Sequence, residues 1–305
     1  MQKEGIDIIY YKRSKLLLVW SIVELIFLVL LFLVSYWFLF SCSKIVPRGP
    51  PSFQLKIQSD TIFAKKAFQL IQQGLKFATY LSNDLNIYMN KTISETYLQR
   101  LDSVYDDTLY QFNVFGFCRR NELTKIKNCY NGDGINVVTS FIQDLGMQLG
   151  NLTNQNDPKV VSARLVVLFY DIIKHVCTND KNEICVLQTY NCISKAVRCL
   201  GILTLVNSGI ACLVSFLELV YYCFRGVTTN RVPFYIKMVA VCFVILAVNA
   251  IYCIIYALQG PLSNLVAQYK IGKLDFAVIN WIIWYFFTLI CLFIIIKRYR
   301  IYQSI

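Results

Sequence analysis

Histidine occurs once in this 305-residue chain, at His175. A lone imidazole cannot form the His–His pair of many zinc sites and leaves little for general acid–base catalysis. Its ordinary reading is a solvated or capped helix residue. Cys-x-x-Cys spacing is missing too, although cysteines number 12, so no zinc site is expected. There is no Gly-x-Ser-x-Gly elbow, Walker loop or dinucleotide fingerprint. Asn131-Gly-Asp-Gly-Ile-Asn136 has the look of a calcium loop, but Ile142 stands at the acidic twelfth position, which predicts a plain turn. The sequence therefore predicts no catalytic residues, no cofactor and no enzyme. Glycine (13) and proline (6) are few, low-complexity tracts are missing, and disorder is disfavoured. No repeat of solenoid length is visible either.

Apolar side chains are what the chain has in excess, at 56% hydrophobic and 15% aromatic. This argues for several membrane spans. A span needs roughly 20 apolar residues, against roughly 7–15 for the core of a signal peptide. Residues 16–40 exceed the second figure and close on bulky Tyr36, Trp37, Phe38 and Phe40. They read as an uncleaved signal anchor with its aromatics at the outer interface. Further spans are expected at 199–224, 238–258 and 276–296. The last-but-one is taken to end at Gln259-Gly-Pro261.

The short segments between spans set the orientation. The tail 1–15 carries Lys3, Lys12, Arg13 and Lys15 against Glu4 and Asp7. The turn 225–237 carries Arg225, Arg231 and Lys237, and the tail 297–305 carries Lys297, Arg298 and Arg300. Short basic segments stay cytosolic, so both termini are expected there. The loops 41–198 and 259–275 then fall on the other side. Two sequons, at Asn90 and Asn151, lie in the large loop and make it a candidate for glycosylation. The formal charge of +12 is read as topology and attraction to lipid headgroups, not as nucleic-acid binding.

Within the large loop, Phe53, Leu55 and Ile57 alternate with polar residues, as do Tyr110, Phe112 and Val114, and then Ile126, Asn128 and Tyr130. Each run predicts a half-buried strand. Cys118 and Cys129 close the last two runs, placed to bridge neighbouring strands in an oxidising compartment. Cys42, Cys177, Cys185 and Cys192 share that loop, and Cys177 could pair with Cys185 or Cys192. The six remaining cysteines lie in spans and read as small apolar filler, with Cys223 a palmitoylation candidate. Helices are expected over 61–81 and 93–104. Another runs over 135–149, with Ile135, Val138, Ile142, Leu145 and Leu149 on its apolar face and Ser140, Gln143 and Asp144 opposite. Residues 160–176 are expected to be a buried or membrane-lying helix, since Arg164, Asp171, Lys174 and His175 interrupt it.

Among the polar residues inside spans, Glu24, Glu218 and Asn249 stand out, and Asn207 shares the second span with Glu218. At 1.5 Å per residue, both carboxylates sit roughly 10–14 Å from the cytosolic end. They are candidates for an ion path. The alternative has each one protonated and bonded to a neighbouring helix through a group such as Asn249 or Ser215.

Phe115-Gly116-Phe117-Cys118, followed by Cys129, resembles the glycine-aromatic-cysteine element of the claudin superfamily, with its usual Trp missing. Phe112 to Arg119, Cys129, and Ile142-Gln-Asp-Leu-Gly-Met-Gln-Leu-Gly-Asn151 resemble more closely the fungal claudin-like membrane proteins, the group that includes PalI and the eisosome proteins. Within that group the likeness is to members that build the spore membrane of budding yeasts. The resemblance implies a claudin-like four-helix membrane bundle with a small extracytoplasmic β-sheet and inserted helices. It implies that a strand over 266–271 joins that sheet. It further implies a non-catalytic role in organising the prospore membrane, or otherwise a place at the plasma membrane. The partners implied are membrane lipids and lateral self-association or other membrane proteins. A relative linked to calcium uptake carries the same signature, so a subunit or regulator of cation entry is the alternative.

Overall fold

The computed structural model describes residues 2–57, 108–121, 124–152, 157–179, 185–225, 231–268 and 272–303. The expected helices at 61–81 and 93–104 lie outside them. The chain divides into two compact units. One comprises Met1–Leu39, Arg198–Ile254 and Val278–Ile305, and the other Phe40–Val197 and Ile255–Ala277.

Six helices and five strands are described: α1 (Gln2–Phe40), β1 (Phe53–Ile57), β2 (Thr108–Asn113), β3 (Gly116–Asn121), β4 (Lys127–Asn131), α2 (Val137–Leu152), α3 (Pro158–Asn179), α4 (Cys185–Arg225), α5 (Val232–Gln268), β5 (Gly272–Phe276) and α6 (Val278–Gln303). Four stretches are long and apolar enough to cross a bilayer: Lys15–Phe40, Thr189–Phe224, Val232–Asn264 and Val278–Gln303. Their outward faces are greasy. Leu246, Ile279 and Phe293 are each more than 60% exposed. Water would not tolerate so long an apolar surface, whereas acyl chains solvate it well.

The first unit is held together by a few interlocking side chains. Trp284 on α6 is fully buried, stacks on Phe38 at 5.7 Å and donates its Nε1–H to Ser35 on α1 at 3.1 Å. Phe27 on α1 stacks on Phe287 of α6 as well. Lipid tails are as apolar as leucine, so such packing and hydrogen bonds, not water exclusion, hold spanning helices together.

The second unit is built on one antiparallel sheet in the order β4-β3-β2-β1-β5. Its register places Phe276, Phe53, Phe112, Phe117 and Tyr130 in one row, one ring from each strand. Successive rings lie 5.5, 5.0, 6.3 and 5.1 Å apart. Cross-strand aromatic pairs of this kind are what fix register, because a slip of one residue would turn every ring to the opposite face.

Several expectations are corrected here. The run from Tyr110 is two strands, not one, since the chain reverses at Val114-Phe115 between the paired Asn113 and Gly116. Cys118 therefore belongs to β3, next to the edge strand β4. The helix expected to end at Gln259-Gly-Pro261 continues to Gln268. Pro261 costs one backbone bond to Ala257, but Gly260 has open surroundings and buried Leu262 and Val266 anchor the far end. Val266 is thus helical. The strand that joins the sheet is Gly272–Phe276 rather than 266–271, paired antiparallel with β1.

The helix α2 inverts its expected orientation. Its polar residues Ser140 and Asp144 are buried, at 0% and 1% exposure, while Val138, Ile142 and Leu145 are half-buried. Hydrogen bonds turn it that way. Tyr110 on β2 donates to Asp144 at 2.8 Å, Ser140 donates to the Asp133 carbonyl, and Gln143 Nε2 donates to the Asn131 carbonyl. A buried polar face is acceptable when its groups find partners.

Candidate functional site

The first unit brings Glu24 and Glu218 together, and with them two cations that their charge had assigned to cytosolic segments. Lys237 lies in the second turn of α5 and is 1% exposed. Its ammonium donates to Glu24 at 2.5 Å and to Glu218 at 2.6 Å. Arg298 on α6 donates from Nη1 to both carboxylates at 2.9 Å, and from Nη2 to Glu218 at 2.8 Å. Each of the four apolar helices thus supplies one charge to a closed square. Two cations offset two carboxylates, so the square carries no net charge.

The expected partners of the carboxylates lie elsewhere. Asn249 donates to the Ile245 carbonyl of its own helix at 2.9 Å. The Ser215 hydroxyl is buried and has no hydrogen-bond partner among the described residues. One feature of the sequence could have exposed the true set. Lys237 and Arg298 fall within the apolar stretches Val232–Asn264 and Val278–Gln303, and isolated charges so placed demand partners. A small cavity of ≈ 40 Å³ borders the square, lined also by Tyr222, Arg231, Phe234 and Tyr299. Phe234 stacks on Tyr299 with centroids 3.8 Å apart.

The second site is the sheet carrying the signature residues. Cys118 and Cys129 stand opposite each other on β3 and β4 and are joined as a disulfide. Beside them, Asn113 ties its own turn to the Pro50–Ser52 segment. Its Oδ1 accepts from Ser52 and from the Val114 amide, both at 2.8 Å, and its Nδ2 donates to the Pro50 carbonyl at 3.2 Å. Arg119 reaches Asp144 at 3.2 Å, and Gln148 donates to the same carboxylate oxygen. Burial, with Asp144 alongside, pushes the Tyr130 phenol well above its ordinary range. The paired glycines of the second motif explain themselves. A Cβ on Gly146 would lie 2.5 Å from the Ser162 Cα, and one on Gly150 would lie 2.6 Å from the Pro158 Cα. The backbones of α2 and α3 meet there, and no side chain fits between them.

The remaining expectations fall as follows. Cys42 is buried, carries a free thiol and donates weakly to the Gly49 carbonyl at 3.5 Å. Burial pushes that thiol up to about 11, with Lys127 pulling the other way. Cys192 is exposed and free, so it does not pair with Cys177. The side chains of Cys177, Cys185 and His175 lie outside the described ones, and Asn90 lies outside the described residues. Asn151 falls in the last turn of α2. Cys199, Cys212, Cys223, Cys242, Cys253 and Cys291 are free thiols of the apolar helices. Asn131 to Asn136 forms a turn whose Asp133 accepts from Ser194. Among the described residues no three His, Cys, Asp or Glu side chains gather as a metal site would require.

Comparison with known proteins agrees with the motifs. The family described as Spore membrane assembly protein 2 matches residues 12–296. Proteins named Spore membrane assembly protein 2 from several yeasts are similar to the chain. That of Candida glabrata is 29% identical over 158 residues, covering 48% of this chain and 42% of the relative. That of Saccharomyces cerevisiae is 26% identical over 263 residues, covering 82% of this chain and 66% of the relative. The chain thus spans under two thirds of either relative's length. No solved structure matches it.

Proposed function

This chain belongs to the spore membrane assembly protein 2 family, and on that premise we propose that it is a non-catalytic, multi-pass membrane protein that helps organise the prospore membrane during sporulation. In this reading the four apolar helices cross the bilayer with both tails in the cytosol. The sheet unit is displayed on the extracytoplasmic side in a claudin-like arrangement. The return of β5 to pair with β1 supports that plan, since the chain between the third and fourth apolar helices supplies the outer strand. Asn90 and Asn151 would carry glycans there.

The observation that carries the scaffold reading is the neutral square of Glu24, Glu218, Lys237 and Arg298. Every ionised group in it is occupied by another, which suits a clamp that fixes four helices. A calcium pathway needs carboxylates left free to meet the ion. The cation-uptake reading is therefore the weaker one. Contacts with lipid, with a second copy or with other membrane proteins fall to helix faces, because each sheet edge carries a lysine, Lys127 on β4 and Lys273 on β5, a device that resists open-ended strand pairing.

Deleting the gene in its own host and scoring spores tests the proposal. The expected outcome is normal vegetative growth with failed or misshapen spore membranes, and a tagged copy found on that membrane. Unchanged spore yield would overturn it. Replacing Glu24 and Glu218 together by Gln and measuring cation uptake tests the rival, which requires a loss that a scaffold does not predict.

A further inference from the structure

Helix α3 is fixed on one side and exposed on the other. Asp157 caps its start, accepting from the Lys159 amide at 3.0 Å, and Pro158 takes the first helical position. On the inner side Ser162 donates to the Gln143 carbonyl at 2.8 Å, and Tyr170 bonds Asn136 and Thr139. With the glycine contacts to α2, this leaves the helix little freedom to roll. The opposite side presents Val160, Val167 and Leu168 at 43%, 60% and 58% exposure. Lys159, Arg164 and Lys174 are exposed as well, together with the carboxylate Asp171. At about 100° per residue these seven positions fall within one half of the helix circumference.

We infer that this face of α3 lies in the anionic headgroup layer of the bilayer that the apolar helices cross. Aliphatic side chains bordered by cations, on a convex helix surface, suit a lipid interface better than a groove-binding peptide. Three cations against two carboxylates, Asp171 and the capping Asp157, leave the face net positive, which complements anionic lipids, and the charges keep the seat shallow. Chain continuity chooses the membrane. Thr189, where the next apolar stretch begins, is only ten positions on from Asn179, the end of α3. Fully extended, those ten positions reach about 35 Å at most, so α3 stays tethered near the bilayer that stretch enters. The inference rests on reading the apolar helices as spans, and the test separates the two.

The full-length protein is reconstituted into phosphatidylcholine vesicles with or without phosphatidylserine. A photo-crosslinking residue replaces Leu168 in one sample and Ile282, on the exposed face of α6, in another. Lipid adducts are then measured by mass spectrometry. Adducts at 282 in both lipid mixtures verify the spans. The expected result is lipid adducts at 168 that rise with phosphatidylserine and fall roughly fivefold for each of Lys159→Glu and Lys174→Glu. Adducts at 282 with none at 168, adducts at 168 to protein rather than lipid, or adducts at 168 indifferent to phosphatidylserine and to both charge reversals would each overturn the inference while leaving the spans intact.

Discussion

Glu24 and Lys237, 213 positions apart in sequence, meet at 2.5 Å inside the helical unit, both almost fully buried. Neither is tolerable alone in an apolar surrounding. An unpaired buried charge costs several kcal/mol, whereas a matched and hydrogen-bonded pair roughly breaks even against apolar residues of the same size. The pair therefore enforces one arrangement of helices more than it adds net stability.

Lys237→Met should for that reason be severe. It leaves Glu24 and Glu218 sharing only Arg298, and a loss of about 3–5 kcal/mol is expected. The double variant Glu24→Gln with Lys237→Met should recover part of that loss. Unfolding in detergent, read by circular dichroism, measures both. Additive losses would show that the two residues are not coupled.

Arg119 and Asp144 join β3 to α2 beside the aromatic row. Asp144→Asn keeps the shape but removes the charge that Arg119, Tyr110 and Gln148 share, and should cost about 2–3 kcal/mol. Arg119→Met should cost less, because its side chain keeps 15% exposure and Asp144 retains two other donors. Equal losses would refute this ordering.

Gly146→Leu is expected to push α3 away from α2, since the obstacle at 2.5 Å is the Ser162 backbone and not a movable side-chain tip. Overpacking of this sort costs about 1–3 kcal/mol. Faster hydrogen exchange in α3, with the disulfide intact, is the signature. Unchanged protection would mean that the helices have slack.

Cys42 should resist alkylation. With its thiol pushed up to about 11, roughly one molecule in a thousand carries the reactive thiolate at pH 8, and the fraction rises tenfold for each unit of pH. Site-resolved labelling should find the exposed Cys192 modified long before Cys42. Comparable rates at pH 8 would contradict the burial.

Cys118→Ser should loosen the sheet. The bond closes a short loop, its ends 11 positions apart in sequence, and its removal is expected to cost about 3 kcal/mol. Peptide mapping without reductant should recover Cys118 and Cys129 in one linked fragment from the native protein.

The period-two runs at 53–57 and 110–114 and the cysteines after them were enough to foresee strands joined by a disulfide. They did not show the reversal at Val114-Phe115, because alternation continues across a two-residue turn as it does along a strand. Pro261 was misleading for a related reason. A proline raises the cost of a helix without forbidding it, and the buried side chains beyond it decide the outcome.

Hydropathy and spacing are sums over neighbours in the chain, so the sequence by itself determined the four apolar helices, the runs that form β1, β2 and β4, and the bonded pair Cys118–Cys129. Tertiary structure alone decided that Lys237 and Arg298 are counterions of Glu24 and Glu218, and that α2 buries Ser140 and Asp144 while leaving Ile142 half-buried. Those choices depend on partners brought from distant segments, and an ion pair or a buried hydrogen bond acquires its energy only when both halves arrive.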